Sequence, residues 1–150
     1  MSAEGKSLRL LLVDDHPVVR EGLRAMLSTH PAFVIVGEAS SGEEAMEMAN
    51  HLDPHVILTD IRMPGMNGIE LTRQIKATRP GIAVIILTIY ENETYLLDAL
   101  RAGASGYLVK DSSQTLLCHA ISTAADGGTL VRSGLLQQAI QTTQRMPGNS

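Results

Sequence analysis

The stretch 54–68, PHVILTDIRMPGMNG, sets the tightest limit on what this chain can become. Val56, Ile57 and Leu58 offer no polar side, so the run suits a strand covered on both faces. Thr59 and Asp60 end it, and the Pro and Gly residues of RMPGMNG then force a loop. One carboxylate, Asp60, therefore sits where a buried strand emerges. In open parallel sheets, ligand sites lie at the carboxyl ends of strands. A strand-end Asp is also an ordinary turn or capping residue, so its meaning depends on the other strand ends.

Those ends repeat the pattern. The run LRLLLV at 8–13 stops at Asp14 and Asp15, and His16 then precedes Pro17, a residue suited to the first position of a helix. Val18, Val19, Leu23, Met26 and Leu27 recur at helical spacing until His30-Pro31. A second strand is predicted over 33–38. Ser41 with Glu44 three residues on has the form of a capping box, opening a helix with Ala45, Met46 and Ala49 on its apolar side. After the loop, Ile69, Leu71 and Ile75 mark a third helix. IAVIIL at 82–87 ends in Thr88. Tyr95, Leu96, Ala99 and Leu100 outline a fourth helix, with Gly103 placed as its left-handed terminator. A short strand over 106–109 leads to Lys110. Leu116, Leu117, Ala120, Ile121 and Ala124 make the apolar side of a fifth helix before Gly127-Gly128.

Five alternations of strand and helix imply a doubly wound parallel sheet of order 2-1-3-4-5, flavodoxin-like, with helices on both faces and right-handed crossovers. The expected division is a polar tail over 1–7, one domain over 8–128, and a helix or linker over 129–150. In that last piece Ser133 caps a short helix bearing Leu135, Leu136, Ala139 and Ile140.

Composition removes several classes of function. With 12 Lys and Arg against 16 Asp and Glu, the net charge of −4 argues against binding a phosphate backbone, which needs clustered cations. No run approaches ~18 consecutive apolar residues, so no membrane span is expected. Residues 1–7 lack the apolar stretch of a signal peptide. The single Cys118 permits no internal disulfide and suits a cytosol. Cys118 is expected to be a buried thiol and His119 a boundary imidazole, while Met63 and Met66 fill loop contacts. The histidines show no metal-ligand spacing.

Asp14, Asp15, Asp60, Thr88 and Lys110 all fall just past strand ends, on one rim of the predicted sheet. Strands one and three are neighbours ~4.8 Å apart, so their carboxylates converge. At ~5 Å and an effective dielectric near 20, each pair repels by roughly 3 kcal/mol. Such a group calls for a cation, and a hard divalent ion such as Mg2+ fits oxygen donors better than a transition metal. A carboxylate can attack a phosphoryl group to give an aspartyl phosphate. Mg2+ would screen the oxygens, Lys110 would supply a point charge, and Thr88 a hydrogen bond.

At this point LLVDDHPVVREGL, DIRMPGMNG, LTIYEN and AGASGYLVKD resemble, in order, the receiver domain of a two-component response regulator of the NarL/FixJ (LuxR-type) group. The resemblance covers about residues 8–128. It implies that Asp60 is the phosphoacceptor, taking its phosphoryl group from a sensor histidine kinase. It implies that Asp14 and Asp15, with Asp60 and the main-chain carbonyl of Arg62, bind Mg2+. Lys110 contacts the phosphate, Thr88 shifts toward it, and Tyr107 changes rotamer as Thr88 moves; the residue-level alternative is a half-buried aromatic. The output is then a shift of the face built from the fourth helix, fifth strand and fifth helix, with homodimerisation on phosphorylation. The group carries a DNA-binding domain after such a linker, and none fits within 150 residues. The chain is thus expected to be the receiver part of a cytoplasmic transcription factor, or a stand-alone receiver acting on protein partners.

Two positions depart from the family pattern. Asp111 follows Lys110 where Pro with a cis peptide is common, and a cis bond here would cost ~2.5–4 kcal/mol. Ile89 follows Thr88 where a small residue is usual, so a branched side chain is expected to narrow the pocket; Arg62 and Tyr90 are bulky too. Other classes fit less well. An FMN carrier needs a Ser/Thr/Gly-rich phosphate loop where Asp14-Asp15 stand. A Mg2+-dependent phosphatase with an Asp nucleophile usually has a carboxylate two residues on, where Arg62 stands.

Overall fold

The computed structural model describes residues 7–89, 93–110 and 112–132. The chain runs β1 (Leu8–Val13), α1 (Pro17–Leu27), β2 (Phe33–Ala39), α2 (Gly42–Leu52), β3 (Val56–Thr59) and α3 (Gly68–Thr78). It continues as β4 (Ala83–Thr88), α4 (Glu93–Ala102), β5 (Gly106–Val109), α5 (Gln114–Ala125) and β6 (Leu130–Arg132).

All strand pairs are parallel, in the order β2-β1-β3-β4-β5-β6. The expected order 2-1-3-4-5 is present, and β6 adds a short edge strand that the sequence reading did not contain. Three residues cannot display a period of two, so β6 has no signature of its own. What creates it is the turn after α5. Gly127 takes φ +90°, and Gly128 donates its N–H to Thr123 O at 2.9 Å, returning the chain beside β5. Residues 1–6 of the proposed tail over 1–7, Tyr90, Asp111 and the expected helix after Ser133 lie outside the described residues.

The continuous apolar runs are explained by burial on both faces. Leu10 and Leu12 of β1, with Leu58, Ile85 and Leu108, pack under Leu27 of α1 and Leu117, Ala120 and Ile121 of α5. Their neighbours Leu11, Val13, Ile57 and Val84 face Ala45 and Ala49 of α2 and Leu71 and Ile75 of α3. Ile86 and Tyr107 form a third cluster with Leu96 and Ala99 of α4. Met63 and Met66 join the α2–α3 side. Cys118 is half-buried, and burial pushes its thiol above the ordinary range. His119 is exposed.

Local signals set the helix ends. Ser41 Oγ accepts from Glu44 N at 3.1 Å, but the Glu44 carboxylate returns to Ser40, accepting its N–H at 2.7 Å, so the reciprocal arm of the box is displaced by one residue. Asn67 caps α3 in the same way, accepting from Glu70 N at 2.8 Å. Gly103 ends α4 at φ +101°.

Gly68 anchors the loop after β3. Its N–H donates to Ile61 O at 2.8 Å, and an added Cβ would stand 1.9 Å from Asp60 O. That neighbour is backbone and cannot turn aside. Gly68→Ala should therefore cost about 1–3 kcal/mol through overpacking, read as a lower urea midpoint at unchanged slope. His55, at the entry to β3, accepts from Arg9 N through Nδ1 at 2.9 Å. Burial, then the Arg9 charge, lower its pKa against the opposing pull of Asp53. The fold favours the neutral ring, so this contribution is full above the ordinary imidazole pKa and is lost as pH falls through the lowered folded value. NMR titration should place the His55 midpoint below that of an unfolded-chain imidazole.

Candidate functional site

Sheet register brings the polar strand ends together. Val13 pairs with Thr59, and Asp60 N donates to Val13 O at 3.1 Å, so Asp14 and Asp60 leave adjacent strands at one level. Thr88 pairs with Val109, and Lys110 N donates to Thr88 O at 2.9 Å. Lys110 thereby starts its side chain from the same rim.

The Lys110 ammonium spans the two carboxylates, at 2.6 Å from Asp14 Oδ2 and 3.1 Å from Asp60 Oδ2. Only 3% of the Asp14 side chain and 4% of the Asp60 side chain are exposed. The other Asp60 oxygen, Oδ1, accepts from Ile61 N at 2.7 Å, which fixes the plane of the carboxylate. Burial alone would lower the Lys110 pKa, but the Asp14 hydrogen bond and the charges of Asp60 and Asp14 outweigh it and raise the value. The lysine is thus charged throughout the neutral range, and it loses its charge as pH rises through that raised value.

His16 completes the group from the start of α1. Its N–H donates to Asp14 Oδ1 at 2.9 Å. Its ring Nδ1 stands 3.0 Å from Asp14 Oδ1 and 3.1 Å from Asp15 Oδ1. One ring N–H cannot aim at both, and Asp15 Oδ1 is buried without a hydrogen bond. Sequence reasoning treated His16 only as the residue before Pro17. Its position two residues after Asp14, within reach of an Asx turn, was the available signal. Arg20 Nη1 donates to the Asp14 carbonyl from the next turn of α1.

Asp14, Asp15, His16 and Asp60 each offer a ligating atom, all within 4.8 Å of one another. Three carboxylates, one with a buried unbonded oxygen, are a donor set suited to a hard cation. The Lys110 ammonium already places one positive charge between two of them, Asp14 and Asp60.

The remaining predicted residues lie around this centre. Thr88 is fully buried at the end of β4. Arg62 is exposed in the loop after Asp60 and borders a groove with Ile69, Glu70 and Tyr95. Ile89 is 66% exposed, so its side chain projects into solvent. Tyr107 is fully buried beneath α4 rather than half-buried.

Comparison with known proteins gives a consistent picture. The family described as response regulator receiver domain matches residues 10–122. The chain is 34% identical to the transcriptional regulatory protein DegU of Brevibacillus brevis over 139 residues, covering 93% of this chain and 59% of DegU. It is 38% identical to the nitrate/nitrite response regulator protein NarL of Escherichia coli K12 over 126 residues, covering 84% and 58%. The crystal structure of a LuxR-family two-component response regulator from Aurantimonas sp. SI85-9A1 superposes with a TM-score of 0.85 at 33% identity, covering 92% of this chain and 99% of that one. This chain thus spans less than two thirds of the curated relatives named here. Among the described residues, no helix is long and apolar enough to cross a membrane.

Removing the ammonium leaves two buried carboxylates facing each other. Lys110→Met should cost about 3–5 kcal/mol in the presence of a chelator, measured by urea unfolding, and added divalent cation should restore part of it. Unchanged stability in chelator would contradict the bridging role.

Proposed function

This chain belongs to the response regulator receiver domain family, and from that premise we propose that Asp60 accepts a phosphoryl group from a sensor histidine kinase. The observation that carries this reading is the Lys110 ammonium set 3.1 Å from a nearly buried Asp60 carboxylate at the end of the central strand. An Asp60 oxygen attacks phosphorus, an O–P bond forms, and the P–N bond to the kinase histidine breaks with the imidazole leaving. Lys110 balances charge on a phosphoryl oxygen, and Thr88 donates a hydrogen bond to another. Asp14, Asp15, Asp60 and the main-chain carbonyl of Arg62 would hold Mg2+, which when bound screens the attacking and phosphoryl oxygens. The chain assists its own phosphorylation and later hydrolysis and turns over no separate substrate.

The consequence is a change of surface. Thr88 moves toward the phosphoryl group, and Tyr107 alters its packing among Ile86, Leu96 and Ala99. That shifts the face made by α4, β5 and α5 between two states a few kcal/mol apart, and the phosphorylated form pairs as a homodimer. The relatives' names support a transcriptional output. The net charge of −4 favours DNA contact through a further, C-terminal domain rather than through these residues. The single cysteine is consistent with a reducing cytoplasm.

Asp60→Asn should abolish acid-labile labelling by acetyl phosphate with Mg2+ present, read by intact-mass spectrometry before and after acid treatment. Full labelling of the variant would refute the assignment of Asp60.

A further inference from the structure

We propose that His16 is a direct ligand of the divalent ion, making this a mixed nitrogen–oxygen centre that favours first-row ions such as Mn2+ over Mg2+. The inference rests on the cation-site reading above and concerns a residue to which that reading gives no role.

Three observations carry it. First, Nδ1 lies 3.0 Å from Asp14 Oδ1 and 3.1 Å from Asp15 Oδ1. Ligands ~2.1 Å from an octahedral ion stand about 3.0 Å apart along each edge, so Nδ1 already stands at edge spacing from both oxygens. Second, a hydrogen bond accounts for only one of the two contacts. Asp15 Oδ1 is buried and unbonded, which a shared cation would remedy and a single ring proton does not. Third, the backbone holds the residue in place. His16 N–H is tied to Asp14 Oδ1 at 2.9 Å, and Pro17 follows at the start of α1. The His16 side chain is 64% exposed, so no tight packing confines its ring. Lys110 bonds the other Asp14 oxygen, Oδ2, at 2.6 Å. The ammonium and an ion at His16 therefore use different oxygens of Asp14.

An imidazole nitrogen adds little for Mg2+, a hard ion that keeps oxygen ligands and water. It strengthens binding of first-row ions, increasingly from Mn2+ through Co2+ to Ni2+. His16 thus sets ion preference.

The probe is Mn2+, added at one equivalent to the full chain at pH 8. Pulsed electron paramagnetic resonance should show the 14N modulation of a directly bound imidazole, and His16→Ala should remove it. His16 donates no side-chain cap to α1, so this substitution leaves the helix start intact. Calorimetry should show Mn2+ affinity falling about tenfold or more in the variant, since even outer-shell partners are worth about 10–100-fold, with Mg2+ affinity changing much less. Mn2+ bound by the wild type without 14N modulation would overturn the role of His16 and leave the cation site standing. Equal losses for Mn2+ and Mg2+ would likewise reduce His16 to a structural neighbour. Wild-type protein that binds no Mn2+, or binds it undiminished after Asp15→Asn and Asp60→Asn, would overturn the site and the His16 proposal together.

Discussion

One ammonium held between two buried carboxylates governs the upper rim of this sheet. Asp14 and Asp60 leave neighbouring strands with almost no exposure to water, and Lys110 reaches both from β5. Charges taken out of water are tolerable only when paired and hydrogen-bonded. Here the pairing also crosses the sheet, linking β1, β3 and β5. A group that changes the charge on Asp60 changes the balance among all three strands.

The fold exists to hold that balance still. Parallel register sets Val13 against Thr59 and Thr88 against Val109, so rim residues meet without any of them reaching far. The loop after Asp60 is equally constrained, because Gly68 packs on the Asp60 carbonyl at a distance no side chain tolerates. The Ile61 N–H then fixes one carboxylate oxygen. Rigid placement matters because chemistry at a carboxylate depends on its orientation to within a few tenths of an ångström. Below the rim, Ile86 of β4 and Tyr107 of β5 share one cluster with Ile61, the residue after Asp60, and with Leu96 and Ala99 of α4.

Most of the frame was legible in the residues, and for identifiable reasons. Runs such as LLLV and VIL suit strands buried on both faces, and five of them alternating with amphipathic segments point to one common architecture. Polar residues at each run's end mark a rim, so Asp14, Asp60, Thr88 and Lys110 could be grouped before any coordinate was known. Less could be said of β6, since its three residues carry no period and its existence depends on where Gly127 and Gly128 turn the chain. Ile89 was expected to crowd the pocket, yet its side chain turns into solvent. Direction of a loop side chain is not encoded in its type.

The chain's own pattern determined the strands, their alternation with helices and the acidic rim, because burial pattern and strand polarity are local properties. Tertiary structure alone decided which groups neutralise which. That the Lys110 ammonium reaches both Asp14 and Asp60, and that the His16 ring sits across Asp14 and Asp15, follow from side chains distant in sequence or turned by a helix start. Electrostatic pairing falls off over a few ångströms, and only the assembled fold fixes distances that small.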